Sequence, residues 1–301
     1  MSTQMYPSDE SPTLYYSPAH RNCRPARGES CEPAGDSAEV TALERLGHAA
    51  LCGGRLDEAE THFRVALKRR QEAGSRGQAG LPQAFGRLGV VAVARGDKEE
   101  ARTLFELGLD LARAVRSQWT VEDAMLLHNL ACIARTEGRL EEAESLYRGA
   151  LEIKHHTLGA DHPLTATTLA GLGWAVLGRG AHAEAFGLFQ QTRQLLERTT
   201  EEGSPGLAHV LLGLGLVCLR TGQIEAAEAS FRRAAAIWRH LRPDSPQLAR
   251  VRLCLARTVY VRDRDYARLI VTAALRDHQL AERPDPRVVQ RLLAWLDQHS
   301  A

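Results

Sequence analysis

Four side chains of the kinds that bind metals crowd one short stretch of the sequence: His155, His156, Asp161 and His162. Imidazole nitrogens and a carboxylate suit zinc, which makes this the metal candidate to weigh. The stretch runs into Pro163, where a histidine is more simply a loop residue that organises a turn, so no metal is assigned to it. Asp263 and Asp265 lack the glycine and the downstream glutamate of a calcium loop and fit a solvated joint instead. Gly171-Leu172-Gly173 and Gly213-Leu214-Gly215 resemble halves of a dinucleotide-binding turn, but both fall inside helical patterns rather than after a strand. No phosphate-binding loop, nucleophile elbow or His-Glu-x-x-His helix occurs. The cysteines, at 23, 31, 52, 132, 218 and 254, include no Cys-x-x-Cys pair, which suits neither a zinc site nor a disulfide framework. These patterns argue against an enzyme and imply no cofactor or metal; recognition of another molecule is the chemistry left.

Composition agrees. Of 301 residues, 44% are hydrophobic, enough to bury a core and exclude global disorder. Lys plus Arg number 38 against 37 Asp plus Glu, a formal charge of +1, which gives no electrostatic footprint for nucleic acid. No apolar run reaches the roughly 18 residues of a membrane span, and Met1 to Glu10 lack the features of a secretion signal. The expectation is a cytoplasmic chain with no membrane insertion.

The elements that would carry recognition follow from an internal repeat. Starting at Val40 and stepping by 42 residues gives Pro82, Ala124, Ala166 and Ala208. Place seven of each repeat is leucine: Leu46, Leu88, Leu130, Leu172 and Leu214. Place eight is small: Gly47, Gly89, Ala131, Gly173 and Gly215. Place fifteen is glycine: Gly54, Gly96, Gly138, Gly180 and Gly222. Place twenty is alanine, from Ala59 to Ala227, and place twenty-four is aromatic: Phe63, Phe105, Tyr147, Phe189 and Phe231.

Each repeat reads as two amphipathic helices. The glycine at place fifteen ends the first in a left-handed cap, and the small residues let the two backbones approach around the aromatic. Beyond residue 34 every proline falls at a joint, and Ser204-Pro205, Ser245-Pro246 and Asp285-Pro286 read as N-caps followed by proline at the first helical position. A sixth repeat from Arg250 is degenerate, with Arg264 at the glycine place and Ala267 in register only if two residues are dropped. Residues 286–299 read as a last amphipathic helix.

The small-Gly-Ala-aromatic pattern resembles the tetratricopeptide repeat. Leu146 to Gly173, LYRGALEIKHHTLGADHPLTATTLAGLG, is similar to the 42-residue kinesin-light-chain variety, including a Leu-Gly-Asp-His-Pro turn that here runs from Leu158 to Pro163 with Ala160 inserted. The resemblance implies an all-α, right-handed αα superhelix. The expected organisation is a disordered tail over 1–37, a repeat array over 38–281 and a capping helix over 282–301.

The resemblance further implies that first helices line a concave groove able to hold a protein or peptide segment. The places left out of the core pattern, namely two, five, six, nine and twelve, then face it. They supply Arg45, His48, Arg87, Val90, His128, Asn129, Cys132, Arg135 and Trp174. Arginines would grip carboxylates, Asn129 a backbone amide, and Trp174 would anchor an apolar side chain. Place two holds Thr41, Gln83 and Met125, so the carboxylate clamp known in such grooves is incomplete. The expected partner is a segment with acidic and apolar parts, held by a scaffold or adaptor, or alternatively by a sensor that changes compactness when the same groove is filled. Asp9, Glu10, Leu14, Tyr15 and Tyr16 in the tail form a segment of the sort such a groove accepts.

Overall fold

The computed structural model describes residues 38–200, 203–281 and 284–299. Among them there are only helices and their connections. The tail and its two cysteines, 23 and 31, lie outside the described residues. The chain forms two compact units, one ending at Ala160 and one beginning at Asp161.

In the first unit α1 (Ala38–Cys52) pairs with α2 (Leu56–Glu72), α4 (Leu81–Arg95) with α5 (Lys98–Val115), and α6 (Val121–Thr136) with α7 (Leu140–Leu158). A single turn, α3 (Ser75–Gln78), fills the first joint. The second helix of each pair also packs on the first helix of the next, α2 on α4 and α5 on α6. In the second unit α8 (Pro163–Gly178) pairs with α9 (His182–Thr199), α10 (Pro205–Arg220) with α11 (Ile224–Leu241), and α12 (Pro246–Val259) with α13 (Arg264–Gln279). There α9 packs on α10 and α11 on α12, while α14 (Pro286–Gln298) lies on α13 and α12.

One hydrogen-bond motif ends the first helix of all five clear repeats. The glycine at place fifteen is left-handed each time, with φ of +72° at Gly54, +90° at Gly96, +79° at Gly138, +83° at Gly180 and +78° at Gly222. The next amide turns back to a carbonyl five residues earlier: Arg55 to Ala50, Asp97 to Ala92, Arg139 to Ala134, Ala181 to Val176 and Gln223 to Cys218, at 2.8–3.2 Å. An L side chain resists that φ, which explains the invariance along the chain. The proline joints behave as the sequence predicts. Ser204 Oγ accepts from the Leu207 amide at 3.3 Å, Ser245 Oγ from Leu248 at 3.2 Å, and Asp285 Oδ1 from Arg287 at 2.9 Å, each with proline inside the following turn.

In four of the five clear repeats the ring at place twenty-four lies against the backbone of the facing first helix. A Cβ on Gly47 would stand 2.6 Å from Phe63, one on Gly89 2.5 Å from Phe105, one on Gly173 2.8 Å from Phe189 and one on Gly215 2.4 Å from Phe231. Phe189 is closed from its other side by Gly213, whose Cβ would come within 2.6 Å. Only the third repeat has alanine there, and its aromatic is the tyrosine.

The degenerate repeat folds as α12 and α13, with Val271 buried in place of a ring and Asp263 rather than a glycine at the turn. Asp263 Oδ1 caps α13 by accepting from the Tyr266 amide at 2.9 Å. Pro246 follows Pro205 by 41 residues rather than 42, and α13 begins 18 residues after Pro246 where α11 begins 19 after Pro205, so one residue lost at each place accounts for the slipped register. On α14, Leu292 and Trp295 are buried, and Trp295 meets Tyr260 edge-on at 5.7 Å. His278 ties α14 down: Nδ1 reaches the Asp244 carbonyl at 3.0 Å and Nε2 accepts from the Asp285 amide at 3.0 Å.

The glycine contacts predict opposite outcomes for two nearby substitutions. Gly215→Val overpacks Phe231 and should lower unfolding free energy by about 1–3 kcal/mol. Gly187, on α9, has nothing within 4 Å of a built Cβ. Gly187→Ala should therefore raise stability by roughly 0.5–1 kcal/mol through backbone entropy. Urea denaturation of both variants checks the pair.

Candidate functional site

The turn with metal-ligand residues is structural. His162 is the N-cap of α8, its Nδ1 accepting from the Leu164 amide at 3.1 Å, and Asp161 Oδ1 accepts from Arg198 Nη2 at 2.6 Å. His155 and His156 are exposed in the last turn of α7, in the other unit. Among the described residues no group of three or more His, Cys, Asp or Glu could hold a metal ion, and no helix is long and apolar enough to cross a membrane. Among the described residues Cys52, Cys132, Cys218 and Cys254 form no disulfide.

The nine groove candidates divide by burial. Eight belong to the first unit and Trp174 to the second. Arg45 and His48 are exposed on α1, and Arg87 and Arg135 are half-buried. Val90, His128, Asn129, Cys132 and Trp174 are buried. The reason is the close approach of consecutive first helices. A Cβ on Gly86 of α4 would stand 2.7 Å from Leu126 of α6, and α8 likewise neighbours α10. From the second repeat on, places five, six and nine are therefore largely pressed between helices, whereas places two and twelve stay half-exposed in every clear repeat.

Across that seam the side chains bind one another. Glu44 Oε1, at place five of the first repeat, accepts from Arg87 Nη1 at 2.5 Å, at place six of the second. The same oxygen accepts from Arg70 Nη1 on α2. Arg70 is one of the largest fully buried side chains, roofed by the α3 joint: a Cβ on Gly77 would meet its carbonyl at 2.0 Å and one on Gly80 its Nε at 2.3 Å. Sequence periodicity does not mark Arg70; the glycines at 74, 77 and 80 were its only signal. In the second unit Trp174 stacks on His209, rings 4.9 Å apart at 27°, with Phe189 edge-on at 5.2 Å and the Arg250 guanidinium 5.9 Å from its ring centre.

The third repeat carries polar groups inward. Cys132 Sγ lies 3.1 Å from the Tyr147 hydroxyl, and His128 meets the Tyr147 ring edge-on at 5.3 Å. Burial pushes the Tyr147 phenol well above its ordinary pKa, with the Arg135 guanidinium pulling the other way. Burial likewise holds the Lys154 ammonium well below the usual lysine value.

Glu44→Ala takes the carboxylate from a buried guanidinium and should cost about 3 kcal/mol. Arg45→Ala, one residue on but exposed, should change stability by less than about 0.5 kcal/mol. Urea midpoints of both variants test the assignment. For Tyr147 the folded pKa lies above the unfolded value of 10.0, so its stabilisation is complete below that pH and is lost as pH rises beyond it. Between about pH 9 and 11 the native urea midpoint should fall more steeply than that of Tyr147→Phe.

The helix pairs, capped by left-handed glycines and closed by rings on glycine backbone, have counterparts in known proteins. A family model described as tetratricopeptide repeat matches residues 39–114 and 122–198, and a second of the same description matches 187–246. No curated protein sequence matches the chain. Among solved structures, BtubC (BKLC) from P. vanneervenii is similar at 19% identity over 87% of this chain and 93% of that one, with a TM-score of 0.56. A putative kinesin light chain with nearly identical TPR-like repeats from Podosopora anserina is similar at 19% identity over 71% and 99%, with a TM-score of 0.54. PilF of Pseudomonas aeruginosa is similar at 20% identity over 85% and 97%, with a TM-score of 0.59. At these identities the likeness is one of fold. The repeat motif and the matched family models together place this chain in the tetratricopeptide repeat family.

Proposed function

We propose that this protein is a non-catalytic interaction scaffold that holds an extended segment of a partner protein along the face of the first helices of its first unit. The carrying observation is the pattern of exposure on that face. From the second repeat on, places five, six and nine largely close into a floor, while Arg45 and His48 of the first repeat stay exposed and places two and twelve stand half-exposed throughout.

In the first unit place twelve supplies Leu51, Val93 and Arg135, and place two supplies Thr41, Gln83 and Met125. Leu51 and Val93 each rest on a buried apolar cluster, so the partner would meet side chains already fixed by packing. This row suits two apolar side chains followed by a carboxylate, which would meet the Arg135 guanidinium beside its bond to the Tyr147 hydroxyl. Arg87 is committed to Glu44 and belongs to the floor rather than to the partner. The second unit offers Leu177 and Leu219 at place twelve and Thr167 and His209 at place two, a less charged face. The tetratricopeptide fold, whose grooves commonly take peptides, supports the reading.

A displayed library of random peptides selected on the immobilised full chain tests it. Enriched peptides should pair aliphatic with acidic residues. Their affinity should fall about tenfold or more with Val93→Asp, and lose most of its salt dependence with Arg135→Gln. Peptides that bind both variants as they bind the native protein would overturn the proposal.

A further inference from the structure

The leucine at place seven behaves differently in the first repeat. Leu88, Leu130, Leu172 and Leu214 are 8%, 7%, 1% and 4% exposed, whereas Leu46 is 53% exposed. Its counterparts show what is missing. Leu88 is buried with Ala59 and Phe63 of α2, and Leu130 with Phe105 and Leu109 of α5. In each case the covering element is the second helix of the preceding repeat, and no described helix precedes α1. Ala42, Arg45 and Ala49 share this uncovered face of α1 at helical spacing and are exposed with Leu46.

We infer that the chain's own N-terminal segment around Leu14, Tyr15 and Tyr16 covers this face. Leu14-Tyr15-Tyr16 is the one run of three large apolar or aromatic residues in positions 1–37. The reach is ample. Leu46 lies about 12 Å along α1 from Ala38 at 1.5 Å per helical residue. The 22 residues from Tyr16 to Ala38 span up to roughly 70 Å when extended. Such a tether keeps the segment at an effective concentration of about a millimolar, so a modest apolar contact is held closed. The contact is distinct from the groove rows at places two and twelve, and it stands whether or not they bind a peptide.

Hydrogen–deuterium exchange on the full chain tests the inference, comparing the native protein with the triple variant Leu14→Ser, Tyr15→Ser, Tyr16→Ser. These substitutions lie outside the helical array, so the fold of the array is not at stake. Amides of α1 should exchange about tenfold faster in the variant while those of α12 and α13 keep their rates. Equal α1 rates in the two proteins would overturn the inference. So would a concentration-dependent dimer in sedimentation velocity that Leu46→Glu abolishes, because a second copy would then be the occupant.

Discussion

The architecture depends on a ring resting on a helix that has no side chain at the point of contact. In four of the five clear repeats a phenylalanine of the second helix touches glycine backbone of the first, closer than any Cβ would permit. That contact sets the spacing of the pair. It lets dispersion act over a flat ring face. The left-handed glycine seven residues later sets the other variable, the direction in which the second helix departs. With spacing and direction fixed by a few residues, the remaining positions are free to differ from repeat to repeat, and they do.

The third repeat shows how far this freedom extends. Ala131 replaces the glycine, and the aromatic opposite it is Tyr147, whose hydroxyl needs a partner once buried. Cys132 supplies one, and His128 packs edge-on to the ring. Polar groups thus gather around the ring at this repeat. The ionisation of Tyr147 and Lys154 becomes part of the energetics there, whereas the other rings at the same place are plain hydrocarbon.

The repeat, its helix ends and its caps were legible in the sequence because each depends on contacts between residues close in the chain. The period located Gly54 through Gly222, and the Ser-Pro and Asp-Pro pairs located helix starts to the residue. The binding face was legible only in outline. Helical spacing assigned places five, six and nine to an open groove, yet how far they stand open depends on how closely neighbouring first helices approach. That distance is set by Gly86 against Leu126 and by the Glu44–Arg87 bond, contacts with no periodic signature. Arg70 escaped for a related reason: a buried arginine needs a carboxylate 26 residues away and a glycine-bearing roof, and neither lies in its own helix.

The pairing scheme bears on how the chain acquires its structure. Every substantial contact within each unit joins helices no more than two positions apart in order. Closing such short loops costs little entropy, which favours rapid folding from local nuclei. During synthesis α1 and α2 can dock before α4 has left the ribosome, and within each unit every later pair finds its template already assembled. The order of translation and the order of stacking coincide.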